Sequence, residues 1–236
     1  MKGLITICAR GGSKGVPKKK IKKVDGIPLI AYSIRVARKF QKQFDCNIEL
    51  STDSREIKQV ASFYGLETSY NRPDYLATDE VTKGNAIKDL VVYSEQQTGI
   101  HYDYVLDLDV SSPLRALKDL VDAFEIFNQN KECLNLFSVN EASKNPYFNM
   151  VEKTPENYYA LSKKIGLIKN RQTAPKVWEL NASFYFYKRA YFDKEKLEVI
   201  NDRSLIHEMS HICFDIDEPV DFLFFSIFSR KQETKF

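Results

Sequence analysis

Short apolar runs alternate with helical patterns through residues 1–140, and this alternation restricts the fold more than any other feature of the sequence. Each run has the length of a strand that is buried on both faces, as strands of parallel sheets are. We expect these strands at residues 4–9, 48–52, 104–109 and 134–139. Helices with a capping residue or a proline near their start are expected at residues 29–40, 55–64, 85–96 and 117–128. The alternation predicts βαβ units, and therefore an α/β fold with a mostly parallel central sheet and helices on both faces.

The pattern then changes. Residues 145–177 are rich in Tyr, Asn and Lys and show no regular period, and an aromatic strand is expected to follow at residues 182–188. We interpret residues 145–177 as a small arm inserted into a single domain that spans residues 1–236. Exposed aromatic side chains on such an arm are typical of association surfaces, so we expect a homodimer. A strand at residues 212–216 and a helix from Pro219 complete the expected elements.

Composition excludes several classes of protein. The 35 basic and 32 acidic residues leave a net charge of +3, which is too even for a protein that binds polyanions over its whole surface. The apolar run at residues 223–228 falls far below the roughly 20 residues that span a bilayer, and residues 1–9 are too short for a secretion signal. We therefore expect a cytoplasmic protein. The cysteines lack CxxC spacing, which favours buried, reduced thiols over disulfides or zinc ligands.

A glycine-rich basic loop, ARGGSKGVPKK at residues 9–19, directly follows the first expected strand. Ligands of open α/β sheets bind beyond the carboxyl ends of the strands. The three glycines allow backbone N–H groups to approach phosphate oxygens, while Arg10, Lys14 and Lys19 can neutralise several negative charges. The loop matches neither the Walker A pattern nor the GxGxxG pattern of dinucleotide-binding folds. It predicts a triphosphate site of another kind.

The same loop, with Lys14 and Lys19 in register, resembles the signature loop of the CMP-sialic acid synthetases, or acylneuraminate cytidylyltransferases. Further segments resemble that family in the family's order, so the similarity covers essentially the whole chain. They lie at residues 51–53, 72–79, 112–115, 181–185 and 215–217. The resemblance implies a Rossmann-like nucleotidyltransferase that joins a nine-carbon 2-keto-3-deoxy sugar acid to CMP from CTP and releases pyrophosphate. It also implies a divalent cation, which is Mg²⁺ or, instead of Mg²⁺, Mn²⁺.

The resemblance further implies roles for individual residues. Lys19 is expected to stabilise charge at the reacting phosphate, and Arg10 and Asp217 are the other expected catalytic residues. Fixed cations and a metal ion offset the charge that develops on the transferred group and on the leaving pyrophosphate. The expected nucleotide-binding residues are Arg10, Gly11, Gly12, Ser13, Lys14, Lys19 and Arg72.

Two acidic pairs are candidates for the cation site. Asp215 and Asp217 alternate on the expected last strand, so their carboxylates share one face at its end, and the resembled family places its metal there. One of these residues could instead cap the helix that starts at Pro219. In the second pair, Asp107 and Asp109, Asp109 is expected as a further metal ligand, although sialic-acid enzymes typically carry Gln at that place.

Residues near the expected sugar position suggest which sugar is used. Phe148 stands where sialic-acid enzymes carry Lys, and an apolar side chain there favours a deoxy, methyl-ended sugar. Arg171, Asn181 and Tyr185 align with sugar-side positions, and the Arg171 guanidinium is expected to pair with the substrate carboxylate. Core packing is the alternative for Phe148 and Tyr185. We therefore expect closest similarity to synthetases of CMP-legionaminic acid and related diamino nonulosonates.

Other interpretations stay open on the sequence alone. A sugar-nucleotide pyrophosphorylase of the CMP-Kdo or hexose 1-phosphate type is the alternative enzyme. A noncatalytic nucleotide- or RNA-binding module would use the lysine run at residues 18–23, but that run is short and isolated, which disfavours nucleic acid as a partner. Residues 207–211 match the HExxH motif of zinc peptidases. A zinc site is disfavoured there because a strand pattern follows and no third ligand is apparent.

Overall fold

Strands and helices alternate along the chain, as the apolar pattern predicts, in a computed structural model that describes residues 1–12, 15–166 and 168–233. The strands are β1 (Gly3–Cys8), β2 (Lys23–Val24), β3 (Ile27–Pro28), β4 (Cys46–Ser51), β5 (Tyr104–Leu108), β6 (Asn135–Glu141), β7 (Val151–Lys153), β8 (Tyr159–Leu161), β9 (Trp178–Lys188) and β10 (Ser204–Glu208). The α-helices are α1 (Leu29–Gln41), α2 (Arg55–Phe63), α3 (Lys83–Thr98), α4 (Leu117–Gln129) and α5 (Pro219–Glu233).

The central sheet has the strand order β10-β6-β9-β5-β1-β4. β1 pairs in parallel with both β4 and β5, and Ile5 lies opposite Ile48 on one side and Leu106 on the other. β10 runs parallel to β6, whereas β9 is antiparallel to both β5 and β6. The α/β fold with a mostly parallel sheet is therefore confirmed.

Apolar side chains on both faces of the sheet are covered by helices. Ile5 and Ile7 of β1 belong to a buried cluster that includes Phe40 of α1 and residues of α4 and α5. Leu4 and Cys8, which alternate with them, belong to a second buried cluster that includes residues of α3. Because both faces of β1 are buried, its sequence is a continuous apolar run, and the loop that follows it emerges at the carboxyl edge of the sheet.

The prediction of a strand at residues 212–216 is wrong. This segment is extended, but it forms no strand in the part of the chain that the structure describes, and Cys213 and Phe214 instead pack against the first cluster. The place beside β6 is taken by β10, which the sequence pattern did not predict. Ile216 N–H donates a hydrogen bond to the carbonyl oxygen of Ser111 at 2.9 Å, which brings the segment to the end of β5.

The segment at residues 145–177 contains a hairpin, in which β7 and β8 pair only with each other among the described strands. Asn157 adopts a positive φ of 66° in its turn, and Thr154 N–H donates to the carbonyl oxygen of Tyr158 at 2.8 Å. Asn tolerates this left-handed conformation better than most residues. The aperiodic sequence thus encodes a short hairpin with a defined turn.

All four cysteines are free thiols, as their spacing predicts. Cys8, Cys46 and Cys133 are buried and Cys213 is half-buried. Burial raises the pKa of Cys8 to about 11, so this thiol is protonated and unreactive at neutral pH. No helix among the described residues combines the length and apolar character needed to cross a membrane.

Candidate active site

A cleft of about 390 Å³ lies beyond the carboxyl ends of β1 and β5 and reaches the start of α3. Open α/β sheets bind their ligands at this edge, and ligand sites commonly measure about 300 to 1,000 Å³. The residues predicted from the sequence that line the cleft are Arg10, Gly12, Lys19, Arg72, Asp109 and Asp217. Ser13 and Lys14, which were also predicted, lie outside the described residues.

The glycine-rich loop packs closely against two neighbouring segments. Gly11 N–H donates to Asp53 Oδ1 at 2.7 Å, which ties the loop to the chain that follows β4. A Cβ atom on Gly15 would lie 2.4 Å from the carbonyl oxygen of Asp217, so a side chain at this position would force the two segments apart. A Cβ atom on Gly12 would meet no atom within 4 Å, so this position is open. The loop therefore joins β1 to the segment that precedes α5.

Lys19 and Arg10 are each paired with a carboxylate of the cleft. Lys19 Nζ lies 2.9 Å from Asp217 Oδ1, and the lysine side chain is only 11% exposed, whereas the aspartate side chain is 73% exposed. Arg10 forms an ion pair with Asp79. The cleft thus carries positive charge at the carboxyl end of β1, the position that the loop sequence predicts for phosphate groups.

Arg72 is fixed more firmly than either of these cations. It is buried, and its Nε and Nη2 donate to the hydroxyl and carbonyl oxygens of Ser51 at 2.9 and 3.0 Å. Ser51 is the last residue of β4, so the guanidinium is held at the carboxyl edge of the sheet. Arg72 therefore supplies a positive charge whose position does not depend on a ligand.

The carboxylates at the end of β5 are held by a lysine that the sequence pattern did not single out. Lys83 Nζ lies 2.6 Å from Asp107 Oδ2 and 2.7 Å from Asp109 Oδ2. Asp107 is fully buried and its Oδ1 accepts from Thr6 Oγ1 at 2.9 Å, while Asp109 Oδ1 accepts the Ser111 N–H at 2.6 Å. Burial alone would raise the pKa of Asp109, but the neighbouring ammonium groups hold that pKa well below its usual range.

Lys20 also lies in the cleft, beside the same carboxylates. Its Nζ contacts the Ser111 hydroxyl and lies 3.9 Å from Asp109 Oδ1. Burial lowers the pKa of Lys20, and the ammonium groups of Lys19 and Lys83 act in the same direction. Two lysines therefore surround Asp109, which the sequence suggested as a metal ligand.

Asp215 and Asp217 lie in the extended segment before α5, and not on a strand as expected. Asp215 Oδ1 accepts from Ser112 Oγ at 2.6 Å, and burial together with nearby carboxylates raises the pKa of Asp215. Asp221 Oδ2 accepts the N–H groups of Asp217 and Glu218 at 2.8 and 2.7 Å, so Asp221 caps the start of α5. The side chains of Asp215 and Asp217 instead contact Ser112 Oγ and Lys19 Nζ, which disfavours the capping interpretation of this pair.

Two of the expected sugar-side residues lie on β9. The amide of Asn181 is used inside the protein, because its Nδ2 donates to Asn140 Oδ1 at 2.8 Å and its Oδ1 accepts from Ser138 Oγ at 2.6 Å. Lys83 Nζ lies 5.7 Å from the centroid of the Tyr185 ring, and burial raises the pKa of Tyr185 to about 12. Tyr185 thus adjoins the carboxylates at the end of β5.

The other two expected sugar-side residues, Phe148 and Arg171, lie on the arm and are not part of the cleft wall. Arg171 Nη2 donates to the carbonyl oxygens of Ala142 and Ser143 at 3.2 and 3.0 Å. Phe148 is partly exposed. Their contact with a sugar therefore stays a prediction.

The HExxH match at residues 207–211 has a different structure from the zinc motif. His207 and Glu208 belong to β10, and Glu208 Oε1 lies 2.9 Å from Lys176 Nζ. His211 Nε2 lies 2.9 Å from Asp119 Oδ2. The zinc motif needs both imidazoles on one face of a helix, and this segment is the end of a strand followed by a bend.

The lysine run at residues 18–23 does not form one basic surface. Lys18 Nζ lies 2.9 Å from a carboxylate oxygen of Glu56, and Lys22 Nζ lies 4.6 Å from the centroid of the Phe222 ring. Lys19 and Lys20 line the cleft, and Lys23 is exposed. Separate partners for these lysines disfavour an extended nucleic-acid surface.

Comparison with known proteins identifies the family. The chain matches the family model described as Cytidylyltransferase over residues 4–224. This chain belongs to the cytidylyltransferase family. The enzyme, a nucleotidyltransferase, is 40% identical over 219 residues to the CMP-N,N'-diacetyllegionaminic acid synthase of Campylobacter jejuni, across 93% of this chain and 91% of that protein. It is 38% identical over 219 residues to the post-translational flagellin modification protein B of Campylobacter coli, across the same shares of the two chains.

A solved structure shares the fold of this cytidylyltransferase at much lower sequence identity. It is the CMP:2-keto-3-deoxy-manno-octonic acid synthetase complexed with CTP, with a TM-score of 0.71 and 14% identity. The match covers 98% of this chain and 100% of that chain. The likeness confirms the α/β fold class, and the family resemblance read from the loop at residues 9–19 is confirmed by the sequence matches.

Proposed function

We propose that this enzyme transfers CMP from CTP to a nine-carbon 2-keto-3-deoxy sugar acid of the legionaminic type and releases pyrophosphate. The observation that carries the proposal is the cleft at the carboxyl end of β1, where Arg10, Lys19 and Arg72 present positive charge beside carboxylates. The named activity of the Campylobacter jejuni relative supports the choice of sugar. CTP is made in the cytoplasm, and we place the reaction there.

In the proposed reaction the anomeric hydroxyl oxygen of the sugar attacks the α-phosphorus of CTP. A new bond forms between that oxygen and the α-phosphorus, the bond to the β-phosphate bridging oxygen breaks, and the hydroxyl proton passes to solvent. Lys19 is proposed to stabilise the negative charge that grows on the phosphate oxygens, because its ammonium is nearly buried and fixed in place. Arg10 and Arg72, with Gly11, Gly12, Ser13 and Lys14 of the loop, are proposed to hold the nucleotide.

The residues of the cleft fit a divalent cation only when the substrate supplies further oxygens. No group of three or more His, Cys, Asp or Glu side chains within residues 1–12, 15–166 and 168–233 is arranged to hold a metal ion by itself. Mg²⁺ is commonly held by one or two carboxylates together with substrate phosphates. Asp217 is exposed and lines the cleft, while Asp215 is two residues away in the chain, where burial and nearby carboxylates raise its pKa.

We propose that Asp215 and Asp217 hold Mg²⁺, or Mn²⁺ in its place, together with phosphate oxygens of CTP. The oxygen-only ligand set suits either of these hard cations. When bound, the cation would offset charge on the triphosphate and on the pyrophosphate that leaves.

The arm supports a homodimer. Val151, Tyr158 and Tyr159 on the hairpin are 59%, 76% and 69% exposed, which is a large apolar surface for one small element. Phe148 and Arg171 lie on the same arm, outside the wall of the cleft. A second copy could bring these two residues to a sugar in the cleft. We propose that the arm joins two copies and brings these residues to the sugar.

A first experiment measures pyrophosphate release from CTP and Mg²⁺ with legionaminic, pseudaminic and N-acetylneuraminic acids. We expect the highest kcat/KM for a 9-deoxy diamino sugar and weak turnover of N-acetylneuraminate, because the apolar Phe148 favours a methyl-ended substrate. Turnover of a hexose 1-phosphate alone would instead indicate a pyrophosphorylase. Nucleic-acid binding with a steep salt dependence and no pyrophosphate would indicate a binding module.

A second experiment tests the arm. Co-expression of Lys19→Ala and Arg171→Ala chains, each inactive on its own, should restore about a quarter of wild-type activity if one copy completes the site of the other in a random mixture of dimers. A monomeric mass in solution, or a mixture no more active than its components, contradicts the dimer proposal.

A further inference from the structure

Lys83 holds a position between two carboxylates that a metal ion could otherwise occupy. It is the first residue of α3, and its Nζ lies within 2.7 Å of oxygens of both Asp107 and Asp109. Its side chain is 35% exposed and lines the cleft, while Asp107 is completely buried. The lysine therefore brings a positive charge from the cleft wall to the end of β5.

The charges around Asp107 and Asp109 cancel within the protein. Two carboxylates face two ammonium groups, since Lys20 Nζ lies 3.9 Å from Asp109 Oδ1 in addition to the contacts of Lys83. The low pKa of Asp109 is consistent with this balance. A divalent cation added here would leave an excess of positive charge beside the buried Asp107.

The charges around Asp215 and Asp217 do not cancel in the same way. Lys19 is the ammonium group paired with Asp217, and Asp215 has a hydroxyl partner, Ser112. These two carboxylates thus have one ammonium group in contact, Lys19, while Lys20 acts electrostatically on Asp215 as well as on Asp109. A cation at Asp215 and Asp217 would be offset by carboxylate charge that the protein does not neutralise, whereas a cation at Asp107 and Asp109 would not.

We propose that Lys83 is a built-in cation that takes the place of a metal ion at Asp107 and Asp109, so that Asp109 is not a metal ligand. The proposal rests on the proposed function for the position of the substrate. The divalent cation then binds only on the side of Asp215 and Asp217. Lys83 is a positioning residue, because it acts through the two carboxylates.

The contacts around Asp109 show what Lys83 positions. Asp109 Oδ1 accepts the Ser111 N–H at 2.6 Å, and the next residue, Ser112, donates from its Oγ to Asp215 Oδ1 at 2.6 Å. A short chain of contacts thus links Lys83 to one of the proposed metal ligands. Loss of the ammonium would leave the buried Asp107 and the half-buried Asp109 without their main counter-ion, and a divalent cation or protons would be needed to replace it.

Binding of Mn²⁺ to the protein in the presence of a non-hydrolysable CTP analogue tests this inference without turnover, with Mn²⁺ and the analogue alone as the blank. The free ion is followed by electron paramagnetic resonance in the wild type and in Asp109→Asn, Asp217→Asn, Lys83→Met and Lys83→Arg. We expect Asp217→Asn to weaken Mn²⁺ binding by about tenfold or more and Asp109→Asn to change it by less than about threefold. Lys83→Met should gain an additional Mn²⁺ per chain, and Lys83→Arg, which keeps the charge, should gain none.

The comparison of the two aspartate variants decides the matter even if Lys83→Met does not fold. Equal weakening of Mn²⁺ binding by Asp109→Asn and Asp217→Asn would overturn the proposal, and so would a folded Lys83→Met that binds no additional ion. A wild-type protein that shows the expected Mn²⁺ pattern but makes no CMP-sugar would contradict the proposed function and leave the role of Lys83 intact.

Discussion

The pair Asp107 and Asp109 and the pair Asp215 and Asp217 have the same sequence spacing and lie at the same cleft, but the protein treats them differently. The first pair is packed against Lys83 and the pKa of Asp109 is lowered, whereas the pKa of Asp215 in the second pair is raised. If Lys83 takes the place of a metal ion, as we propose, two carboxylates at the cleft do not by themselves define a metal site. What matters is whether the protein has already supplied their counter-ions.

The largest effect that we expect comes from the lysine beside the second pair. Lys19→Ala should lower kcat by about a hundredfold to a thousandfold, with a smaller change in KM for CTP, because its charge matters most as the phosphate bond breaks. Steady-state kinetics measure both constants. Lys23→Ala, an exposed member of the same lysine run, is the matched control and should leave them unchanged. Equal losses in kcat and in CTP binding would assign Lys19 to ground-state binding.

The first pair should matter more for stability than the second. Asp107→Asn removes a buried charge that Lys83 and Thr6 hold, and should lower the free energy of unfolding by about 3 kcal/mol. Asp215→Asn should leave it unchanged or slightly higher, because burial and neighbouring carboxylates already disfavour the charged form there. Urea unfolding in the presence of a chelator measures both variants. A larger loss for Asp215→Asn would reverse the assignment of counter-ions.

The second pair should control the metal requirement. Asp217→Asn should raise the Mg²⁺ concentration for half-maximal activity by about tenfold or more. Asp221→Asn is the matched control, because Asp221 caps α5 through the N–H groups of Asp217 and Glu218. It should cost about 1 kcal/mol of stability without changing the metal requirement. If both variants shifted the Mg²⁺ dependence alike, the shift would be due to a disturbed start of α5 and not to loss of the Asp217 carboxylate.

The smallest effect that we expect concerns Asp119, whose counter-ion, His211, can lose its charge as the pH rises. His211 Nε2 lies 2.9 Å from Asp119 Oδ2, and this hydrogen bond raises the pKa of His211 above 6.5. A raised histidine pKa stabilises the fold below the unfolded pKa, and the stabilisation is lost as the pH rises through the folded pKa.

His211→Gln should therefore lower the free energy of unfolding by about 1 kcal/mol near pH 5.5 and by little near pH 8.5. Chemical denaturation at the two pH values measures the difference. His207, which is nearby and whose pKa is lowered by burial, has the opposite sign and serves as the comparison. An equal cost of His211→Gln at both pH values would show that the charge of His211 contributes nothing.

The sequence predicted the strands that are buried on both faces and failed where burial and pairing differ. β1 and β5 were found because both lie inside the sheet and are buried on both faces, so each is a mostly apolar run. β4, an edge strand, and β6 were found because each also contains several apolar residues. Residues 212–216 are equally apolar, but they pack against the core without joining the sheet. β10 lies at the edge of the sheet and was not predicted. It contains His207 and Glu208, which the sequence analysis considered only as part of an HExxH motif. Apolar content reports burial and not hydrogen-bond partners.

The sequence likewise predicted some residues of the candidate site and missed others. The loop residues were predicted because several glycines and basic residues lie close together in sequence, and Arg10, Lys19 and Arg72 do line the cleft. Lys83 could not be found in this way, because a single lysine at a helix start is usually solvated. Its partners, Asp107 and Asp109, lie on a distant strand end. Two contacts bring these elements together: α3 packs against β1 through Ile87 and Val91, and β1 pairs with β5.

The close approach of Gly15 to the backbone of Asp217 has a consequence for the order in which the protein matures during synthesis. β1, β4 and β5 can pair once the first half of the chain has been made, and the phosphate loop is then already present. The segment around Asp217, against which Gly15 of the loop packs, is synthesised much later. A nascent chain can therefore hold much of its sheet while its cleft still lacks a wall, and catalytic competence is among the last properties that it acquires.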